Sequence, residues 1–379
     1  MKKIIFGLLA FLFFINVYKA EELAPNAKSA VLMNYETGQI VYEKNSKEKL
    51  PPASMTKMMT LLLIMEAIDE GSISYTDEVI ISKNAASMGG SQIFVEEGSK
   101  LKVEELIKGI AIASGNDAAV AMSEKIGGSL ENFVAMMNDK CSEIGCVNTH
   151  FANVHGLDDD NHYSCAHDMA LIGKELVHHQ DILRFTSTYE EYLNKPDGTK
   201  IWLVNTNKLV RFMPGVDGLK TGFTANAMYC LTATGLRNNI RFISTVMGVP
   251  TSTLRSEDTT NLLNYGFNNY KINEVVSEDR ELGKVNIEKG KIDEADLKVV
   301  EGVRELKKIN EESSEYEYIV NVDKSIKAPV YKGNVIGSLD VLNNGNKVYS
   351  VDLTVKEDVL KSSVFDLFID NLKVIFCGK

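Results

Sequence analysis

A serine three residues ahead of a lysine can make a nucleophile and its base, provided a helix holds the two side chains on one face. Ser46/Lys49, Ser54/Lys57 and Ser99/Lys102 all have that spacing in this chain of 379 residues. Average composition alone gives about two such matches at this length, so the spelling decides nothing. The first and third pairs lie in polar stretches with no helix to hold them. Ser54 follows Pro51-Pro52-Ala53 and opens an apolar run from Met58 to Met65, which predicts a buried helix from about Ser54 to Ile68. There Lys57 stands beside the hydroxyl. Lost hydration and nearby cations lower its pKa and let it act as a base, while the helix N-terminus favours negative charge at a reacting carbonyl. Standing alone, the pair would be a capping serine and a surface lysine.

It does not stand alone. Ser114-Gly115-Asn116 falls between two expected helices, Val103 to Ile112 and Ala118 to Ile126, where a loop can hand a hydroxyl and an amide to a cleft; by itself it would be an N-cap. Lys220-Thr221-Gly222 is a rarer string that precedes a strand-like run; by itself it would be an edge strand with a glycine bulge. Acyl transfer needs a nucleophile, a base, a proton path to the leaving amine and donors for the oxyanion. The three motifs together supply that set.

The elements that must position them follow from periodicity. A hairpin spans Ala30 to Tyr42 around Glu36-Thr37-Gly38, and a further helix lies near Leu130 to Ile144. Strands at Met228 to Thr234 and Arg241 to Met247 and a helix from Ser256 to Phe267 close this half. Beyond Lys271 the composition shifts to short alternating strands with turns at Lys332-Gly333-Asn334 and Asn343-Asn344-Gly345, a separate small β domain. Residues 1–20 have the form of a secretory signal, with Lys2 and Lys3, an apolar run from Ile4 to Ile15 and a cleavage site after Ala20; an uncleaved anchor is the alternative. The expected division is therefore signal 1–20, catalytic unit 21–272, β unit 273–358 and tail 359–379. In the tail Leu360, Val364, Leu367, Phe368, Leu372 and Ile375 recur at helical spacing among four charges, a pattern for a helix lying in a membrane interface, or docked on its own protein, rather than spanning.

Composition sets limits. A net charge of −11 with no basic block argues against nucleic acid. Cys141, Cys146, Cys165, Cys230 and Cys377 are scattered rather than framed for disulfides, and a Cys141–Cys146 bridge needs a sharp turn between them. No Cys-x-x-Cys occurs, so no zinc site is suggested.

The order and intervals of the motifs carry a resemblance. The chain resembles the low-molecular-mass penicillin-binding proteins, specifically the D-alanyl-D-alanine carboxypeptidases of the β-lactamase/transpeptidase-like superfamily. The match includes Thr37-Gly38, Pro52 to Thr60, Ala113 to Ala118, Asn153 to Leu157 with His162, Asp168-Met169-Ala170 and Val216 to Thr224, covering about Ala30 to Phe267. It implies an α+β fold: a catalytic domain of antiparallel sheet and helices, then a small all-β domain and an amphipathic C-terminal helix. It also implies roles. Ser54 attacks the carbonyl between two D-alanines of a peptidoglycan stem peptide, Lys57 takes its proton, and Ser114 relays a proton to the departing D-alanine. Asn116 holds the substrate amide. Lys220, Thr221 and Gly222 face the terminal carboxylate with Arg255 nearby, and the N–H groups of Ser54 and Phe223 form the oxyanion hole. The Gly89-Gly90-Ser91-Gln92 loop rims the cleft, Phe223 replaces a histidine of some relatives, and Cys165 replaces a usual threonine. β-Lactams are implied as covalent inhibitors, the outer face of the membrane as the location, and no cofactor.

Three other readings compete. Glu190-Glu191-Tyr192-Leu193-Asn194 spells a class A β-lactamase motif, but it lies far past Ser114 and just before Lys220, the wrong place for that carboxylate. His155, Asp158, Asp159, Asp160, His162 and His167 suggest a metal hydrolase, yet match neither a helical His-x-x-x-His pair nor a calcium loop. The β domain and tail could make the chain chiefly a tether. An endopeptidase on cross-linked stems would use the same constellation and is not separable from a carboxypeptidase here.

Overall fold

The computed structural model describes residues 22–195, 197–311 and 314–363. In chain order the strands around the site are β1 (Ser29–Asn34), β2 (Ile40–Lys44), β3 (Glu190–Asn194), β4 (Lys200–Val204), β5 (Val216–Thr224), β6 (Met228–Arg237) and β7 (Ile240–Val249). The longer helices are α1 (Lys57–Asp69), α2 (Val103–Ala111), α3 (Asn116–Gly127), α4 (Leu130–Glu143), α5 (Ala166–His178) and α6 (Ser252–Asn269). The main sheet has the order β2-β1-β7-β6-β5, antiparallel throughout.

Its two faces explain the sequence pattern. In β1, Val31 and Met33 pack with α1 and α5, while Ala30 and Leu32 pack on the other side with Leu262, Leu263 and Phe267 of α6. Alternate residues of a strand point to opposite faces. A strand covered on both is apolar throughout, and β7 is buried at every position. Helix α1 is wrapped on all sides, with every residue from Lys57 to Met65 buried, so it lacks a polar face.

Helix α6 starts four residues before its expected Ser256, because Thr251 accepts a hydrogen bond from the Leu254 N–H (3.2 Å) and caps it. Helix α3 likewise begins at Asn116, so the amide is the first helical residue rather than part of a loop.

After α6, Tyr270–Val276 pairs with Val303–Lys308, and six strands form a second sheet over two small apolar cores. The Asn344-Gly345 turn, both residues at positive φ, joins Gly337–Asn343 to Asn346–Val355 as an Asn-Gly hairpin should. Lys284–Glu288 pairs in parallel with Ser325–Lys327, a partner that alternation alone cannot indicate. The chain stays tied to this unit through Val359, Lys361 and Ser362, which pair with Val330, Gly290 and Lys289. The expected amphipathic helix lies mostly beyond the described residues. Among these, no helix is long and apolar enough to cross a membrane, and Cys141, Cys146, Cys165 and Cys230 are free.

Candidate active site

Ser54 sits in a 3-10 turn, Ala53–Thr56, that runs directly into α1. As the second residue of that turn, its N–H has no acceptor within the helix. The turn is held from several sides. Ala53 is in the left-handed region (φ +47°), and its carbonyl accepts the Thr56 hydroxyl at 2.8 Å. Thr56 Oγ1 lies 2.7 Å from His162 Nε2, and His162 Nδ1 accepts the Ala152 N–H at 3.0 Å. That bond assigns the imidazole proton to Nε2, which donates to Thr56. Burial pushes His162 down to about 4, so the ring is neutral at pH 7. Gly156 presses on the same turn: a Cβ there would fall 1.9 Å from the Ala53 oxygen. Gly222 of β5 does so from the sheet side, where a Cβ would meet the Pro52 oxygen at 2.6 Å.

Lys57 is fully buried. Its Nζ lies 3.0 Å from Ser54 Oγ and 2.7 Å from the His155 carbonyl oxygen. Burial drives its pKa well below the usual lysine range, the Lys220 ammonium lowers it further, and the Asp117 carboxylate opposes both. A neutral amine there donates one N–H to His155 and turns its lone pair to the Ser54 hydroxyl. Asp117 is itself held by the N–H groups of Ile93, Val95 and Ala118.

Ser114 also has a left-handed backbone (φ +64°). Its hydroxyl is buried and has no hydrogen-bond partner among the described residues. Strain of this kind costs about 1–3 kcal/mol, as does an unpaired buried hydroxyl, and both concentrate at functional positions. Asn116 donates from Nδ2 to the Gly89 oxygen (2.7 Å), and its N–H bonds the Ser91 oxygen (2.7 Å), which fixes the Gly89–Gln92 loop against α3. Gly90 (φ +79°) leaves room for the amide; a Cβ there would lie 2.7 Å from Asn116 Nδ2.

On β5, Lys220 is buried and its Nζ donates to the Thr221 carbonyl at 3.1 Å. Burial, with the Arg255 charge beside it, lowers it to about 7. Thr221 donates to Thr206 Oγ1 at 2.6 Å. Arg255, on α6, is buried, with its Nε unpartnered among the described residues and its pKa lowered by burial.

A cleft of about 550 Å³ brings Ser54, Ser114, Thr221, Gly222, Phe223 and Arg255 onto one surface. Lys57, Asn116 and Lys220 lie behind it, reached through the bonds just given. Ser91 lines the cleft, as do Thr206, Lys208 and Tyr229, three residues that no motif indicated; the Phe223 ring rests on Tyr229 at 4.4 Å between centroids. Glu190 is exposed on β3 and does not line the cleft. The histidine-aspartate stretch spends its groups on local bonds: His150 with Asn161, Asp159 with Asn161, and Asp158 with Thr224. Cys165 keeps the cap expected of the threonine it stands for, its Sγ accepting the Asp168 N–H at 3.4 Å.

A serine hydroxyl beside a buried lysine amine of lowered pKa, a second hydroxyl unpartnered among the described residues, and the buried Lys220 and Arg255 at the cleft are the groups that acyl transfer to a serine requires for a substrate ending in an anion. Residues 16–251 match the D-alanyl-D-alanine carboxypeptidase family, and residues 270–361 match the penicillin-binding protein 5 C-terminal domain. The chain belongs to the D-alanyl-D-alanine carboxypeptidase family. It is 46% identical to the D-alanyl-D-alanine carboxypeptidase DacF of Bacillus subtilis, over 91% of this chain and 88% of that one. It is 33% identical to DacA of Escherichia coli, over 93% and 88%. Among solved structures, penicillin binding protein 5 from Haemophilus influenzae superposes with a TM-score of 0.72 at 34% identity, covering 89% of this chain and 98% of that one. The ampicillin-bound penicillin-binding protein D2 from Listeria monocytogenes gives 0.58 at 30%, covering 64% and 98%.

Proposed function

We propose that this chain is a serine-type D-Ala-D-Ala carboxypeptidase that releases the terminal D-alanine of peptidoglycan stem pentapeptides through an acyl-enzyme on Ser54. The observation that carries the reading is Lys57 Nζ, buried and 3.0 Å from Ser54 Oγ. Ser54 Oγ attacks the carbonyl of the penultimate D-alanine as Lys57 takes its proton. The oxyanion collects on the N–H groups of Ser54 and Phe223. Collapse breaks the C–N bond, the leaving amine takes a proton by way of Ser114, and water hydrolyses the ester. Asn116 holds the substrate amide, while Lys220, Thr221, the Gly222 backbone and Arg255 receive the carboxylate. That anion supplies the acceptor that Arg255 Nε lacks.

β-Lactams acylate the same serine. Glu190 stands away from the cleft, so no carboxylate on that motif activates water, and the penicilloyl ester persists. Residues 1–20 act as the export signal and the chain works outside the cytoplasm, with 21–272 as the catalytic unit, a β unit from 273 to which Val359 to Ser362 stay paired, and the tail beyond them associating with the membrane surface.

Mass spectrometry tests the activity. The protein should remove one D-alanine from a pentapeptide muropeptide, and benzylpenicillin should add to the peptide carrying Ser54. Cleavage of a cross-linked dimer with the pentapeptide untouched would make it an endopeptidase, and sustained turnover of a chromogenic cephalosporin would make it a β-lactamase.

The buried lysines also set a pH profile. Lys57 must be neutral to act as base, so the rate rises with pH through its lowered pKa. Lys220 must be charged to hold the carboxylate, so kcat/KM, which reports the free enzyme, falls as pH rises past about 7. Bound substrate keeps Lys220 protonated. The falling limb of kcat should therefore lie about one unit or more above that of kcat/KM, checked by D-alanine release between pH 5 and 10.

A further inference from the structure

Helix α4 ends on a turn that sets two thiols side by side. Gly145 is left-handed (φ +86°) and donates to the Ser142 oxygen at 3.1 Å, while the next N–H, that of Cys146, reaches back to the Cys141 oxygen at 2.9 Å. This pair of bonds is the Schellman closure of a helix, and it brings the side chain after the glycine onto one in the helix's last turn, commonly as an apolar contact. Here both partners are cysteine.

Cys141 is buried in the core and Cys146 is half-buried against it. The Cys141 thiol is the neighbour that, ahead of burial, raises the Cys146 thiol above its ordinary range. Residues joined by a backbone hydrogen bond have their Cα atoms about 5–6 Å apart, inside the span of a disulfide. The sharp turn that a bridge between these positions needs is therefore present. The other buried thiols are differently engaged: Cys165 Sγ accepts the Asp168 N–H at 3.4 Å as the cap of α5, and Cys230 donates to the Ala227 oxygen at 3.5 Å.

We propose that Cys141 and Cys146 form a disulfide site, closed by exchange with an oxidant disulfide as the chain folds in an oxidising compartment. The setting rests on the export reading given above, and the geometry is independent of the D-alanine chemistry. The Cys146 sulfur, the more exposed of the two, attacks the oxidant's disulfide and expels one of its sulfurs; the Cys141 sulfur then attacks Cys146 and expels the other. One S–S bond forms as the oxidant's breaks, and the oxidant leaves as two thiols bearing the protons that the cysteines lose. Attack requires thiolate, which the raised Cys146 thiol withholds in the finished fold. Exchange therefore belongs to the folding chain, where only Ser142 to Gly145 separate the two sulfurs.

The bridge would pin a segment that matters to the base. Just past Cys146, the N–H groups of Val147 and Asn148 bond Asp168 Oδ2 at 3.1 and 2.7 Å, and Phe151 exchanges two bonds of 2.9 Å with the Asn138 amide of α4. The chain then runs on to the His155 carbonyl that holds Lys57. A link at Cys146 fastens the start of that segment to α4.

The full chain, refolded in a mixture of reduced and oxidised glutathione and then alkylated, tests the site. Cleavage after Glu143, which lies between the two cysteines, should leave two peptides joined by a bond that reduction releases, with Cys165 and Cys230 alkylated. Reduction should lower the melting temperature of the parent by about 4 °C, the scale of opening so short a loop in a domain of this size. Cys146→Ser protein, with its other cysteines in place, should melt alike with and without reductant. Alkylation of both Cys141 and Cys146, a bridge that takes in another cysteine instead, or a reductant shift that persists in Cys146→Ser overturns the proposal.

Discussion

Ser54→Ala protein releases no D-alanine and takes no penicillin label, with a rate at least about 10⁵-fold below the parent. Nothing nearby can replace the nucleophile. Ser114 Oγ is buried but has no base among its hydrogen-bond partners, and the Lys57 amine is committed to the His155 carbonyl. Removing one hydroxyl from a turn held by the Thr56, His162 and Gly156 contacts should leave the fold intact. Urea unfolding of the variant within about 1 kcal/mol of the parent would show that the lost rate is chemical. Residual D-alanine release above about one part in a thousand, in protein free of parent, would move the nucleophile elsewhere.

Lys57→Arg should cost about 10³- to 10⁴-fold in the acylation rate, by penicillin and by peptide alike. The substitution keeps positive charge and reach, and removes only the ability to lose a proton, since a guanidinium stays charged in any protein environment. A lysine that served merely as a fixed charge for the oxyanion would tolerate the change with a loss of about tenfold. Stopped-flow acylation at several pH values separates the two, because the parent's rising limb with pH should vanish in the variant.

How much of this was legible follows from what each residue contributes. Side chains that act through their own chemistry left a signal: Ser54 and Lys57 by spacing and by the apolar run behind them, Lys220 and Thr221 by a rare string before a strand. Groups that act through backbone left less. The His155 carbonyl that orients Lys57 could have been any residue's carbonyl, and the left-handed Ala53 is ordinary in type. Gly156 was visible within a family-like stretch, but its purpose, close approach to the Ala53 oxygen, needs coordinates. Thr206 and Lys208 come to the cleft by way of the β3–β4 hairpin, which the sequence offered only as a misplaced β-lactamase spelling. In the β unit, alternation located strands yet could not pair them, since neighbours such as Lys284–Glu288 and Ser325–Lys327 are far apart in sequence.

The cluster of Lys57, Lys220 and Arg255 also makes the empty enzyme pay in stability. In the unfolded chain both lysines hold protons up to about pH 10.4, whereas Lys220 releases its proton at about 7 in the fold. Over that interval the unfolded chain binds more protons, so the penalty is largest at and below neutral pH and recedes as pH rises towards 10. A carboxylate in the cleft relieves the same penalty without any change in pH, because it favours the charged lysine. Every anion that fits therefore doubles as a folding ligand, raising the melting temperature in proportion to how well it occupies the site. Resistance to heat becomes a property that the substrate lends to the enzyme for as long as it stays.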